Sequence, residues 1–160
     1  MASHCKLPES QSAPGVYGCP VCGQRGKKVG RLTMEHLLHP ALVPQIGTTQ
    51  YYFCETATCP VVYFPLHATA AIFHKPDLRV RVGLKEEHDP IPICYCFGVT
   101  RKDIWDEIDR TGAATALRRI KSEVQAGNCA CEVKNPSGKC CLGNVTRAAQ
   151  EGFKRATPVA

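Results

Sequence analysis

No stretch of about 18 apolar residues occurs in this 160-residue chain, so a membrane-spanning helix is not expected. The opening residues, M-A-S-H-C-K-L-P-E-S-Q-S-A-P-G, lack the apolar core of an export signal. Together these absences point to a soluble, cytoplasmic protein. A Gly-rich dinucleotide fingerprint is missing, as is a C-x-x-C-H haem attachment site. No nucleophile–base pair stands out, and Asp106, Glu107 and Asp109 read as a solvated helix face, so an enzyme is not expected. There is no internal repeat, and low complexity is confined to the first fifteen residues.

Against these absences stand eleven cysteines. A reducing compartment disfavours disulfides, and the count is odd, so clustered thiols point to metal. The formal charge of +6 counts every thiol as neutral. Metal ligands are thiolates. Two four-thiolate sites of net −2 each would lower the total to about +2, leaving little basic excess for a polyanion. Lys27, Lys28 and Arg31 therefore read as a solvated loop, and nucleic acid is not expected as a partner.

The cysteines fall into two territories. Cys19 and Cys22 form C-P-V-C-G, a tight knuckle that aims both sulfurs at one ion. Cys54 and Cys59 sit in Y-Y-F-C-E-T-A-T-C-P-V-V-Y-F, where aromatic and β-branched runs predict two strands of a hairpin. Cys19, Cys22, Cys54 and Cys59 would fill the four positions of a structural Zn²⁺. His36 and His39, in a short helical stretch, are surface or half-buried histidines in preference to ligands. Residues 1–15 read as a flexible tail, 16–75 as a zinc-ribbon-like subdomain, and 76–155 as a second, helical unit; the fold class is α+β. Leu78 to Gly83 alternates apolar and basic residues, predicting a strand with Arg79 and Arg81 on its solvent face, a possible docking face for an acidic partner.

In the second unit, Thr100 with Asp103 forms a capping box before a helix that carries Ile104, Trp105 and Ile108 and ends at Gly112. A second helix covers about 114–126, and a third begins after Asn144. Cys94 and Cys96 are too close for a zinc knuckle. Both cysteine groups of this half precede helix N-termini, where free N–H groups favour an anionic site such as an iron–sulfur cluster. The segment between Cys96 and Cys129 has room for a helix–turn–helix. A hairpin turning at Asn135-Pro-Ser-Gly138 would place Cys131 and Cys140 on one face and Cys141 on the other. The expected [2Fe–2S] ligands are Cys94, Cys96, Cys129 and Cys140, with Cys131 the rival of Cys129 and Cys141 the rival of Cys140. A second zinc ion is the alternative occupant.

C-Y-C-F-G-V-T-R-K-D-I followed by A-G-N-C resembles the [2Fe–2S] domain of bacterioferritin-associated ferredoxin, which implies a link to iron storage. The family's last C-x-x-C is spread here by the insertion E-V-K-N-P-S-G-K. Over residues 17–150 the chain resembles the N-terminal module of the iron–sulfur copper chaperone CopZ. The shared motifs are C-P-V-C-G, Y-Y-F-C-x₄-C-x-V-V-Y-F, C-Y-C-F-G and C-x-C-E-V-K-N-P-S-G-x-C-C-L-G. That resemblance implies one zinc ion, one [2Fe–2S] cluster and a redox role in copper handling. The copper-binding motif of that family, M-x-C-x-x-C, does not occur in the 160 residues. The expected function is one-electron transfer at a low potential, roughly −400 mV as in all-thiolate ferredoxins. The acceptor would be a partner protein or a metal ion, Cu²⁺ going to Cu⁺, with a copper-transport component as a candidate partner. The alternative is a Cu⁺ chaperone or sensor using spare thiols: Cys5 beside His4, with Cys131 and Cys141.

Overall fold

The structure, a computed structural model, describes residues 18–157, so the tail 1–15 with His4 and Cys5 lies outside the described residues. The first half is built on an antiparallel sheet of β1 (Lys27–Val29), β2 (Tyr51–Phe53), β3 (Val61–Pro65) and β4 (Phe73–His74), in that spatial order. Strand alternation sorts the aromatic residues onto two faces. Tyr51, Phe53, Tyr63 and Phe73 pack with Met34, Leu37 and Leu38 from the region of helix α1 (Arg31–Leu37). Tyr52, Val61 and Phe64 turn the other way and surround Cys19, Cys54 and Cys59. The pairing of β3 with β4 shifts register between Val61 and Tyr63, and Val62 joins the α1 face beside Tyr63. Lys27 and Lys28 are exposed on the edge strand β1, where charge discourages pairing with another sheet.

Residues 78–82 keep the expected alternation but form no strand. Leu78 and Val82 are buried in the α1 core, whereas Arg79 and Arg81 face solvent. The segment pairs with the sheet nowhere; it meets the chain after α1 through the Leu38–Leu78 bridge, with Arg79 N–H donating to the Leu37 carbonyl at 2.8 Å. Side-chain periodicity reported burial correctly, but a strand also needs a partner edge.

The second half holds a short hairpin, β5 (Pro92–Cys94) with β6 (Val99–Thr100), and the helices α2 (Arg101–Thr111), α3 (Thr115–Gln125), α4 (Cys131–Lys134) and α5 (Leu142–Ala156). The expected capping box starts α2: Asp103 N–H donates to Thr100 Oγ1 at 3.1 Å, and Thr100 N–H to the Asp103 carboxylate at 2.9 Å. Gly112 ends it with φ of 75°. Helix α3 has no side-chain cap of its own. Glu107 of α2 supplies one, accepting from Thr115 N–H at 2.9 Å and Ala116 N–H at 3.2 Å. Asp106 pairs with Lys102 and Asp109 with Arg155. These three carboxylates, read from sequence as a solvated face, therefore each hold a defined partner.

Helices α2 and α5 close on each other at Gly152. A Cβ there would stand 2.7 Å from both Ile108 Cδ1 and Trp105 Cδ1. The Trp105 indole N–H donates to the Ala148 carbonyl at 2.9 Å, and the Arg101 and Arg155 guanidiniums lie 4.3 and 4.6 Å from its ring centroid. Gly152→Ala is expected to overpack this contact and cost about 1–3 kcal/mol. Denaturant unfolding of the metal-loaded protein checks it; an unchanged midpoint would show that α5 shifts freely.

Candidate metal centres

The first centre grows from two tight turns. In the knuckle, Gly23 N–H donates to the Cys19 carbonyl at 2.8 Å and Cys19 N–H to the Gln24 carbonyl at 2.9 Å. Gly23 takes φ of 76°, the left-handed conformation that suits glycine. The β2–β3 connection brings Cys54 and Cys59 opposite this turn, with Cys59 N–H donating to the Thr56 carbonyl at 3.2 Å. The sulfurs of Cys19, Cys22, Cys54 and Cys59 all lie within 4.8 Å of one another. Cys19 Sγ is 3.7 Å from Cys59 Sγ, and Cys22 Sγ is 3.7 Å from Cys54 Sγ. Four thiols so gathered match the donor set of a closed tetrahedral zinc site. His36 and His39 are exposed and take no part.

The thiols of this centre differ in acidity. Desolvation pushes the Cys19 thiol up to about 12 and raises Cys59. Burial also opposes ionisation of Cys22, but the Thr56 hydroxyl at 3.2 Å, the Gln24 backbone and the Cys54 and Cys19 thiols bring it down to about 6. Cys22 is thus the readily ionised thiol of this group, whereas Cys19 and Cys59 gain from a cation when they ionise.

In the second cysteine group the sulfurs that lie close are those of the rivals Cys131 and Cys141, beside Cys94 and Cys96, and not those of Cys129 and Cys140. Cys94 and Cys96 converge with Cys131 and Cys141. Cys96 Sγ lies 3.5 Å from Cys131 Sγ. Cys94 and Cys141 share a sulfur–sulfur hydrogen bond, and Cys141 is 1% exposed. Cys140 is exposed, and Cys129 is half-buried at the edge of this core. The physical reason is local. No hairpin forms at 131–141. Cys131 instead opens the one-turn helix α4, and Cys141 is the N-cap of α5. Helix α5 begins earlier than Asn144, which turns Cys141 inward with Val145, Ala148, Ala149 and Gly152. That spacing of four, seven, eight and eleven residues is a helical stripe, and it was readable in the sequence as the signal for Cys141.

Cys94 is the acidic thiol here, brought to about 6 first by the Cys141 hydrogen bond and then, against burial, by backbone N–H groups of Phe97 and Cys96 and by Arg119. Burial pushes Cys131 up to about 12, and the Cys94 hydrogen bond together with burial raises Cys141 further. Ala130 N–H donates to Cys96 Sγ at 3.1 Å. Among the described residues, only the first centre gathers its sulfurs within one 4.8 Å group.

Comparison with known proteins agrees with this division. Residues 17–79 match the CopZ zinc binding domain, and residues 92–148 match the BFD-like [2Fe-2S] binding domain. The crystal structure of the Archaeoglobus fulgidus CopZ N-terminal domain superposes with a TM-score of 0.68 at 35% identity, covering 81% of this chain and 95% of that one. The chain belongs to the CopZ N-terminal domain family. The full-length copper chaperone CopZ of A. fulgidus is 34% identical over 129 residues, 81% of this chain and 60% of that relative's length. In this chain the zinc binding domain precedes the BFD-like [2Fe-2S] binding domain. No helix among the described residues is long and apolar enough to cross a membrane.

At pH 7, zinc uptake by the metal-free protein is expected to release at least two protons, from Cys19 and Cys59, whose thiols sit above their ordinary range. Affinity should fall as pH drops, because protons and zinc compete for the same sulfurs. Titration calorimetry in buffers of different ionisation enthalpy measures the number; a pH-independent affinity would contradict this protonation pattern.

Proposed function

We propose that the chain is a one-electron carrier serving copper or other metal-ion handling, with a structural zinc ion in its first half. The observation that carries this reading is the second centre, where four buried or half-buried thiols converge as two close pairs. Each pair takes one cysteine from the 94–96 turn and one from the 131–141 segment. Two pairs of thiols suit a centre of two metals, whereas the compact first group suits a single ion.

Cys94, Cys96, Cys131 and Cys141 would hold a [2Fe–2S] cluster, which supplies a store for one electron. The protein's part is electrostatic and steric. The N-terminus of α5 and the Ala130 N–H direct partial positive charge at the thiolates. Arg119 adds a full charge near Cys94. Such donors raise the potential relative to an unsupported all-thiolate centre. Ile104, Ile120 and Val145 exclude water on the inner side. Half-buried Cys96 and the exposed Cys140 beside Cys141 mark the side on which electrons reach a partner protein or a cupric ion, the latter leaving as Cu⁺. The chain is not proposed to be an enzyme, and a reducing cytoplasm suits its free thiols.

The alternative, a Cu⁺ chaperone or sensor, counts Cys5 beside His4 with Cys131 and Cys141 as its thiols; the close approach of Cys131 to Cys96 and of Cys141 to Cys94 favours the cluster reading for the latter two. Aerobic and anaerobic metal analysis with EPR of the dithionite-reduced protein tests the reading. Two irons, two labile sulfides, one zinc and a spin-half signal per chain are expected. Cys131→Ser and Cys141→Ser should abolish or strongly shift that signal, while Cys129→Ser and Cys140→Ser keep it. Retention of the native signal in Cys141→Ser would rule out this ligand set.

A further inference from the structure

The two arms that carry the cluster cysteines are both fastened to the zinc-bearing half. The first fastening is the turn Gly83–Lys85. Lys85 is 3% exposed, and its ammonium donates to the carbonyls of Thr56 at 2.7 Å and Cys59 at 3.0 Å, at the tip of the zinc hairpin. At the other end of the same turn, Gly83 N–H donates to the Tyr95 hydroxyl at 2.8 Å, and that hydroxyl donates to the Arg81 carbonyl at 2.6 Å. Tyr95 stands between Cys94 and Cys96. A Cβ on Gly83 would fall 1.9 Å from the Pro92 carbonyl oxygen, so turn and cysteine arm touch backbone to backbone.

The second fastening is the segment Glu132–Lys139. Buried Tyr63 of β3 donates its O–H to the Pro136 carbonyl at 2.6 Å. Gly138, with φ of 71°, rests against Thr33 of α1, whose Oγ1 would be 2.7 Å from an added Cβ. Within the loop, the buried Asn135 accepts from Ser137 N–H at 3.0 Å and donates to the Lys139 carbonyl at 3.0 Å. The loop is therefore internally rigid, and it passes its anchorage on to Cys131 and Cys141.

We propose that zinc occupancy and cluster retention are coupled: the zinc-bound hairpin holds both cluster arms in place, through Lys85, Gly83 and Tyr95 on one side and Tyr63 and Pro136 on the other. This rests on the second centre holding a cluster. The Lys85 ammonium, held on the Thr56 and Cys59 carbonyls, would also offset part of the net −2 charge that four thiolates and one Zn²⁺ would carry. Tyr63 and Tyr95 act as positioning residues; neither is a ligand.

The test follows cluster loss by visible absorbance in the presence of an iron chelator, before and after selective zinc removal. In the wild-type protein, zinc removal is expected to speed cluster loss about tenfold or more, the size of outer-shell effects on metal affinity. Tyr95→Phe and Tyr63→Phe should keep their full zinc content, lose the cluster faster with zinc present, and show a smaller further acceleration when zinc is removed. If Tyr63→Phe fails to retain zinc, Tyr95→Phe alone decides. Equal rates with and without zinc in the wild type, or wild-type rates in Tyr95→Phe, would overturn the coupling while leaving the cluster intact. A wild-type chain that takes up no cluster would overturn the reading of the second centre and the coupling with it.

Discussion

Clustered thiols cannot all ionise unless a cation is present, and this constraint organises the whole molecule. In the first centre Cys22 is acidic while Cys19 and Cys59 are raised; in the second Cys94 is acidic while Cys131 and Cys141 are raised. Without metal, the sulfurs share protons at hydrogen-bonding distance. With metal, several thiolates gain their counter-charge at once, and the surrounding shell of Tyr52, Phe64, Ile104 and Val145 is then compatible with ionised sulfur. Two of the three hydrophobic cores thus contain thiols whose ionisation a metal would favour. The third, built on Met34, Leu37, Tyr51 and Phe73, is conventional.

Much of this was legible from residue patterns. The knuckle and hairpin spacing named four sulfurs that the structure gathers, because short-range turns fix them. The capping box at Thr100 and the glycine at 112 marked α2 to within a residue, since both signals act on the adjacent backbone. The second centre was legible only in part. Cys94 and Cys96 lie in one turn, but the choice among the other four cysteines depends on tertiary placement. The turn residues Asn135-Pro-Ser-Gly138 suggested a hairpin, whereas Asn135 closes a compact loop after one turn of helix. The same limit applied at Leu78–Val82: the burial pattern was right, and the sheet partner was absent.

The insertion that separates this chain from the ferredoxin-type C-x-x-C spacing acquires a physical role. E-V-K-N-P-S-G-K spans the seam between the two halves and meets Tyr63 and Thr33. Length that looks surplus beside a free-standing ferredoxin domain is the length required to reach a neighbouring sheet. Lys85 belongs to the same logic. A buried lysine is costly unless its donors are met, and here the carbonyls that meet them belong to the turn carrying a zinc ligand.

The borrowed cap on α3 has a consequence of its own. Because Glu107 satisfies N–H groups at the start of the next helix, formation of α2 favours that of α3, by about 1 kcal/mol as for other helix caps. The helical pair that separates the two cysteine arms is thus cooperative by construction. Its geometry comes from the Glu107 contacts with the α3 amides and from the packing of Ile104 and Ile108 with Ile120, none of them a sulfur, so this pair is the part of the second half that asks least of a bound ion.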